Sequence, residues 1–509
     1  MAADHNNDHR VGFRPVRDEV DETLSIEGDF PQWLSGTLLR NGPGTWHAGR
    51  QPLNHWFDGF AMLRRFRIDG GDGEVAYRNR FLDSGAYTYA REHGELGYRE
   101  FATDPPTGPL GRLGRLRRLR SPNFTDNACV DVCRVGDRYL ATTESPLVTE
   151  IDPRSLESGR RFEFGGFADT YTVHPHYDFD RGELVGYGTS FGGSESGYTL
   201  YSIPDGTEDV SVIGEVESDP PGYVHSFALT PNYIVLAEPP FVPSRRRLLT
   251  GSSVIDGYEW QPERGSRFHV VDRESGDVLA RHRVAPFFCF HHINAFERER
   301  EGGGDSDDGV GGQGEIVLDL AAFEDASVTE ALSLRRLVSA EPSPPAAELR
   351  RYCLPAPGSS RRGVESETLY PGHVELPAID YANRNTHDYR YAYGVSNRER
   401  PPESFQNQLV KVDVRERDAV TWDESYAYPG EPVFVPAPDR GDDADGRNED
   451  DGVILSVTLD AGAERSFLLV LDAATFQERA RAWCPHPIPF GFHGQFYADG
   501  EERPTRSMA

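Results

Sequence analysis

Lysine is almost absent from this chain of 509 residues. Lys411 stands alone, and arginine supplies the rest of the 53 basic residues. Against 83 acidic residues the net charge is −30 and the pI about 4.9. The chain lacks the basic footprint of nonspecific nucleic-acid binding, which excludes that class of partner. An acidic, lysine-poor surface suits a salt-rich cytoplasm, where ions screen self-repulsion. It points to a halophilic archaeon as the source; high genomic GC content is the alternative reason for arginine over lysine.

Cysteine is scarce too. Cys129, Cys133, Cys289, Cys353 and Cys484 are scattered, odd in number and preceded by no secretory signal. They read as reduced thiols of a cytosolic protein. Cys129 and Cys133 have no second cysteine pair and do not read as a zinc site. No apolar run is long enough to span a bilayer, and the polar opening MAADHNNDHR is no signal peptide. Residues 1–11 are expected to be flexible. Helical periodicity is also rare; residues 325–340, DASVTEALSLRRLVSA, are the best helix candidate.

What recurs is a β-rich run, an aspartate, a tight polar turn and a second β-rich run. The pattern surrounds Asp69, Asp152, Asp205, Asp272, Asp413 and Asp472, with a weaker copy at Asp319. Each reads as a hairpin with Asp and Gly supplying the turn. Such units along a whole chain predict an all-β fold of radial repeats, a β-propeller. The chain is then one domain over residues 1–509. Two acidic, low-complexity stretches, 297–313 and 439–452, read as surface loops.

Four histidines stand in short apolar or aromatic settings: His174 in TVHPHYD, His225 in YVHSFALTPNY, His291 in CFHHINAF and His493 in GFHGQF. Imidazole suits iron, zinc, copper and nickel. Four converging imidazoles without thiolate or carboxylate point to a redox-capable iron more than to structural zinc. A propeller brings inner strands of different blades to one axis, so residues this far apart in sequence can meet there.

These motifs, with GTLLRNGPGTWHAG (36–49), HWFDGFAML (55–63) and YPGEPVFV, resemble the carotenoid cleavage oxygenases, most closely the animal-type branch of β-carotene oxygenases and retinoid isomerohydrolase. The resemblance runs from about Gly12 to Phe496. It implies a seven-bladed β-propeller with a loop and helix cap over the metal face. It carries the Fe(II)-ligand role onto His174, His225, His291 and His493, the neighbouring His176 and His292 not matching. It carries the support of those histidines onto Glu144, Glu375 and Glu431, since a metal-bound imidazole needs an acceptor on its other nitrogen.

The implied activity is cleavage of a carotenoid or apocarotenoid double bond with O2 as co-substrate. The alternatives are a stilbene-cleaving dioxygenase, a retinoid isomerohydrolase and a non-catalytic lipid-binding propeller. Phe57, Phe101, Phe290 and Phe492 are candidates for lining a polyene tunnel. Leu110, Leu113, Leu116 and Leu119, interleaved with arginine in PLGRLGRLRRLR, read as an amphipathic segment for peripheral membrane contact. The expected location is the cytoplasm, against a membrane. The oligomeric state, the polyene and the bond cleaved stay open.

Overall fold

The computed structural model describes residues 5–106, 125–163, 165–192, 196–244, 247, 253–299, 314–339, 344–359, 363–438 and 449–500. Seven antiparallel sheets of four to six strands form the blades of a propeller. Both chain ends clasp the ring. In blade 1, Ser35–Arg40 pairs with Phe60–Asp69 on one side and with the C-terminal Gly494–Ala498 on the other. Ser25–Gly28 adds an outer strand to blade 7, beside Glu478–Trp483.

Blades 2 to 7 follow in chain order. Their innermost strands are Asp131–Val135, His176–Asp178, Ala228–Leu229, His292–Glu299, Glu375–Ala378 and Val433–Pro436. Burial falls from axis to rim. Gly494–Ala498 and Glu375–Ala378 are buried almost throughout, whereas Val278–Val284 alternates and Asp418–Trp422 is mostly exposed. That is the pattern of sheets packed face to face with a solvated outer edge.

Six of the seven repeat aspartates sit where a blade's third strand turns into its fourth. The Asp152 and Asp272 carboxylates each accept two backbone N–H groups of the turn. Asp319 is the exception. It lies inside the strand Gly314–Ala322, where its carboxylate takes both Arg351 Nε and Nη2 at 2.8 Å and the Tyr389 hydroxyl at 2.6 Å. Blade 5 makes its outer hairpin later, between Glu348–Pro355 and Glu365–Tyr370.

The structure refines four further sequence expectations. Residues 5–11 are not a free tail: a 3-10 helix spans His5–Phe13, with His9 buried and bonded through Nε2 to Leu337 O at 2.6 Å. The acidic stretch 439–452 ends in structure, because Glu449 is buried and accepts the N–H groups of Arg390 and Tyr391. In the stretch 297–313, Glu297 binds Thr230 Oγ1 and the Asn232 backbone; residues 300–313 and 439–448 lie outside the described residues. The candidate helix at 325–340 forms only two single turns, Val328–Ala331 and Leu334–Leu337. They still cap the metal face, held by His55 Nε2 to Thr329 O and Trp56 N to Leu332 O. No helix among the described residues is long and apolar enough to cross a membrane.

Candidate metal centre

Each of the four histidines stands just before the innermost strand of its blade. His493 precedes Gly494–Ala498, His174 precedes His176–Asp178, His225 precedes Ala228–Leu229 and His291 precedes His292–Glu299. All four are buried, and one ligand nitrogen from each falls within 4.8 Å of the others. Their rings meet edge to face, His174 lying 4.7 Å from His225 and 4.6 Å from His493 between centroids.

Three glutamates hold three of these rings from outside. His225 Nδ1 donates to Glu144 Oε1 at 2.7 Å and His493 Nδ1 to Glu431 Oε1 at 2.7 Å, while His291 Nδ1 bonds Glu375 Oε2. A carboxylate on Nδ1 fixes the proton there and leaves Nε2 as a lone pair facing the centre. His174 is anchored through its backbone, its N–H on Thr172 Oγ1 at 3.1 Å. Burial pushes the Glu375 carboxyl up, but His291 and the Leu376 N–H outweigh this and hold it below the usual carboxylate range.

The seven residues come one from each blade. Blades 1, 3, 4 and 5 give the histidines, and blades 2, 6 and 7 give Glu144, Glu375 and Glu431. His176 and His292 point elsewhere. His176 bonds Phe227 O and Tyr381, and His292 Nδ1 meets Ser226 Oγ at 2.7 Å. Burial lowers His176 to about 4 and His292 to about 3, so both stay neutral.

A cavity of about 550 Å³ opens onto His225, His291 and His493. Phe57, Phe101, Phe290 and Phe492 all line it. Phe57 sits at their centre, 5.3 Å from Phe101, 5.9 Å from Phe290 and 5.3 Å from Phe492. Phe191 and Val254, each 39% exposed, belong to the same lining. Leu110, Leu113, Leu116 and Leu119 lie outside the described residues.

Sequence reading missed three residues of the site. Arg40, buried, pairs with Glu431 and donates to Phe492 O at 2.9 Å. Tyr223 lines the cavity and donates to Glu144 Oε2 at 2.7 Å; its place two residues before His225 in an extended segment was an available signal. Glu100 is buried at the cavity wall, accepting from Thr125 Oγ1 at 2.8 Å, and burial raises its carboxyl to about 8.

The donor set fits a transition metal. Neutral imidazoles with carboxylates behind them suit iron, copper, nickel or zinc and not calcium or magnesium, which take oxygen. A family profile described as retinal pigment epithelial membrane protein, RPE65, matches residues 13–498. The chain belongs to this carotenoid oxygenase family. It is 34% identical to the mitochondrial carotenoid-cleaving dioxygenase of Mustela putorius furo, over 95% of this chain and 96% of that one. It is 31% identical to the β,β-carotene 15,15′-dioxygenase of Mus musculus, over 94% and 89%. Among solved structures, a Synechocystis apocarotenoid oxygenase superposes with TM-score 0.78 at 25% identity, over 96% of this chain and 98% of that chain. The cobalt-substituted form of the Synechocystis protein gives TM-score 0.79 at 25% identity over the same shares.

Proposed function

We propose that this carotenoid oxygenase is a non-haem Fe(II) dioxygenase that splits one conjugated double bond of a carotenoid or apocarotenoid into two carbonyl products, β-carotene to retinal among them. The observation that carries the reading is a buried four-histidine centre opening into an aromatic cavity. His174, His225, His291 and His493 would hold the iron, which when bound supplies activation of O2. The names of its dioxygenase relatives support the substrate class.

The chain's own residues bind, orient and exclude water. Phe57, Phe101, Phe290 and Phe492 present ring faces and edges to a flat polyene and leave it few orientations. Glu144, Glu375 and Glu431 keep the imidazole rings in one tautomer and one orientation. No protein acid, base or nucleophile is required.

A polyene is nearly insoluble in water, so we assign its access to a lipid surface. Phe191 and Val254 offer exposed apolar area on the cavity's lining, and the leucine–arginine sequence around Leu110, Leu113, Leu116 and Leu119 suits the same kind of surface. The protein then works at the membrane face of a salt-rich cytoplasm, as the acidic, lysine-poor composition suits.

The test is an aerobic assay of Fe(II)-loaded protein in high salt and detergent with β-carotene, with products read by chromatography. Retinal alone means central cleavage; longer apocarotenals mean eccentric cleavage. No product from β-carotene, apocarotenals or stilbenes, with one iron bound per chain, contradicts the reading.

A further inference from the structure

Five cations are buried among the described residues, and four have a carboxylate. Arg40 pairs with Glu431, Arg273 with Asp178, Arg351 with Asp319 and Lys411 with Asp450. The fifth, Arg64, does not. It lies in the strand Phe60–Asp69 of blade 1 and is 1% exposed. Its Nη2 donates to Pro43 O at 2.6 Å, and its Nε has no partner. The titratable groups that face it are Arg40, Tyr77 and His486, none of which is an anion at neutral pH. A guanidinium does not deprotonate in a protein, and a buried one without a counter-charge is strongly unfavourable.

A small cavity of about 20 Å³ adjoins this residue. Arg40, Asn41, Arg64, Gly430, Pro489 and Gly491 are part of its wall. That volume takes one particle of about the size of a water molecule or a halide ion. Glycine leaves the wall bare on the guanidinium side. A Cβ at Gly491 would meet Asn41 O at 2.8 Å and Arg64 Nη1 at 3.5 Å. The site therefore combines two guanidiniums, one carboxylate already engaged by Arg40, and a space.

We propose that Arg64, with Arg40, binds a small monovalent anion of the halide class in this cavity. The anion supplies the charge that the described residues do not place beside Arg64. Arg40 connects it to the metal centre, because Arg40 Nη1 holds Glu431 and Glu431 holds His493 Nδ1. It is an anion site behind one arm of the centre, separate from the polyene cavity. A chain whose composition suits a salt-rich medium would meet such an anion in abundance.

Bromide is the probe. Crystals of the full chain soaked in sodium bromide should give an anomalous peak against the Arg64 guanidinium; bromide bound only at surface arginines overturns the proposal. In solution, the metal-loaded protein is melted while bromide replaces a large organic sulfonate at constant ionic strength. The wild type should gain about 2 °C in Tm on approaching saturation, and Arg64→Met should gain nothing. An equal gain in both proteins, or none in the wild type, contradicts the site. Should Arg64→Met not fold, the crystal peak decides.

Discussion

Two arms of the metal centre are built alike and finished differently. His493 and Glu431 have side-chain exposures of 2% and 0%, and a guanidinium, Arg40, closes the far side of the carboxylate. His225 and Glu144 stand at 8% and 25%, and both line the cavity, where of the first pair only His493 does; the neutral hydroxyl of Tyr223 closes them. A charge inside the ring needs a counter-charge; one beside the aromatic cavity does with a hydrogen bond and neighbouring solvent. The difference teaches that the two arms should weigh unequally on stability, the sealed arm more than the open one.

The comparison breaks most visibly at Arg40. Arg40→Leu leaves Glu431 buried without its cation and should cost about 3–5 kcal/mol of stability, read by denaturant unfolding. A loss below about 1 kcal/mol would mean that the two arms are equivalent.

Glu100 sharpens the open side. Ser145, next to Glu144, donates to Thr125 O at 2.7 Å, and Thr125 donates to Glu100. Burial raises the Glu100 carboxyl from 4.5 to about 8. The folded protein therefore keeps a proton that the unfolded chain has lost between these values. The contribution of Glu100 to stability is greatest below about pH 4.5 and is lost as pH rises towards 8. Glu100→Gln removes that dependence, so the variant should gain about 4 kcal/mol relative to wild type between pH 5 and 9. Parallel stability curves for the two proteins would refute this.

Glu144→Gln tests the open arm directly. Metal affinity or turnover should fall about 10- to 100-fold, while unfolding shifts by less than about 1 kcal/mol. A stability loss as large as that of Arg40→Leu would erase the distinction. Tyr223→Phe is the smallest change. It removes one hydrogen bond to Glu144 and should cost about 1 kcal/mol in stability or in transition-state binding, measured as kcat/KM against the unfolding midpoint.

The histidines were legible because each sits in a short apolar setting just before an inner strand, and the structure gathers His174 of HPH and His291 of FHHIN with His225 and His493. Six hairpin aspartates were legible because Gly, Ser, Thr or Arg follows within the turn. Asp319 misled because a strand aspartate with buried partners resembles a turn aspartate when only apolar flanks are read. Arg40 was illegible: its partner Glu431 is 391 residues away, and only ring closure joins them. Glu449 was masked by its neighbours, since an acidic run gives no sign of which carboxylate turns inward to cap the strand Tyr391–Ser396.

The most direct test of the central claim is turnover of β-carotene or an apocarotenal by the Fe(II)-loaded protein under ¹⁸O2, with products trapped before they exchange with water. A four-histidine dioxygenase predicts label in both carbonyl products and loss of all product in His291→Ala. Label from water in either carbonyl, or product persisting without His291, would contradict it.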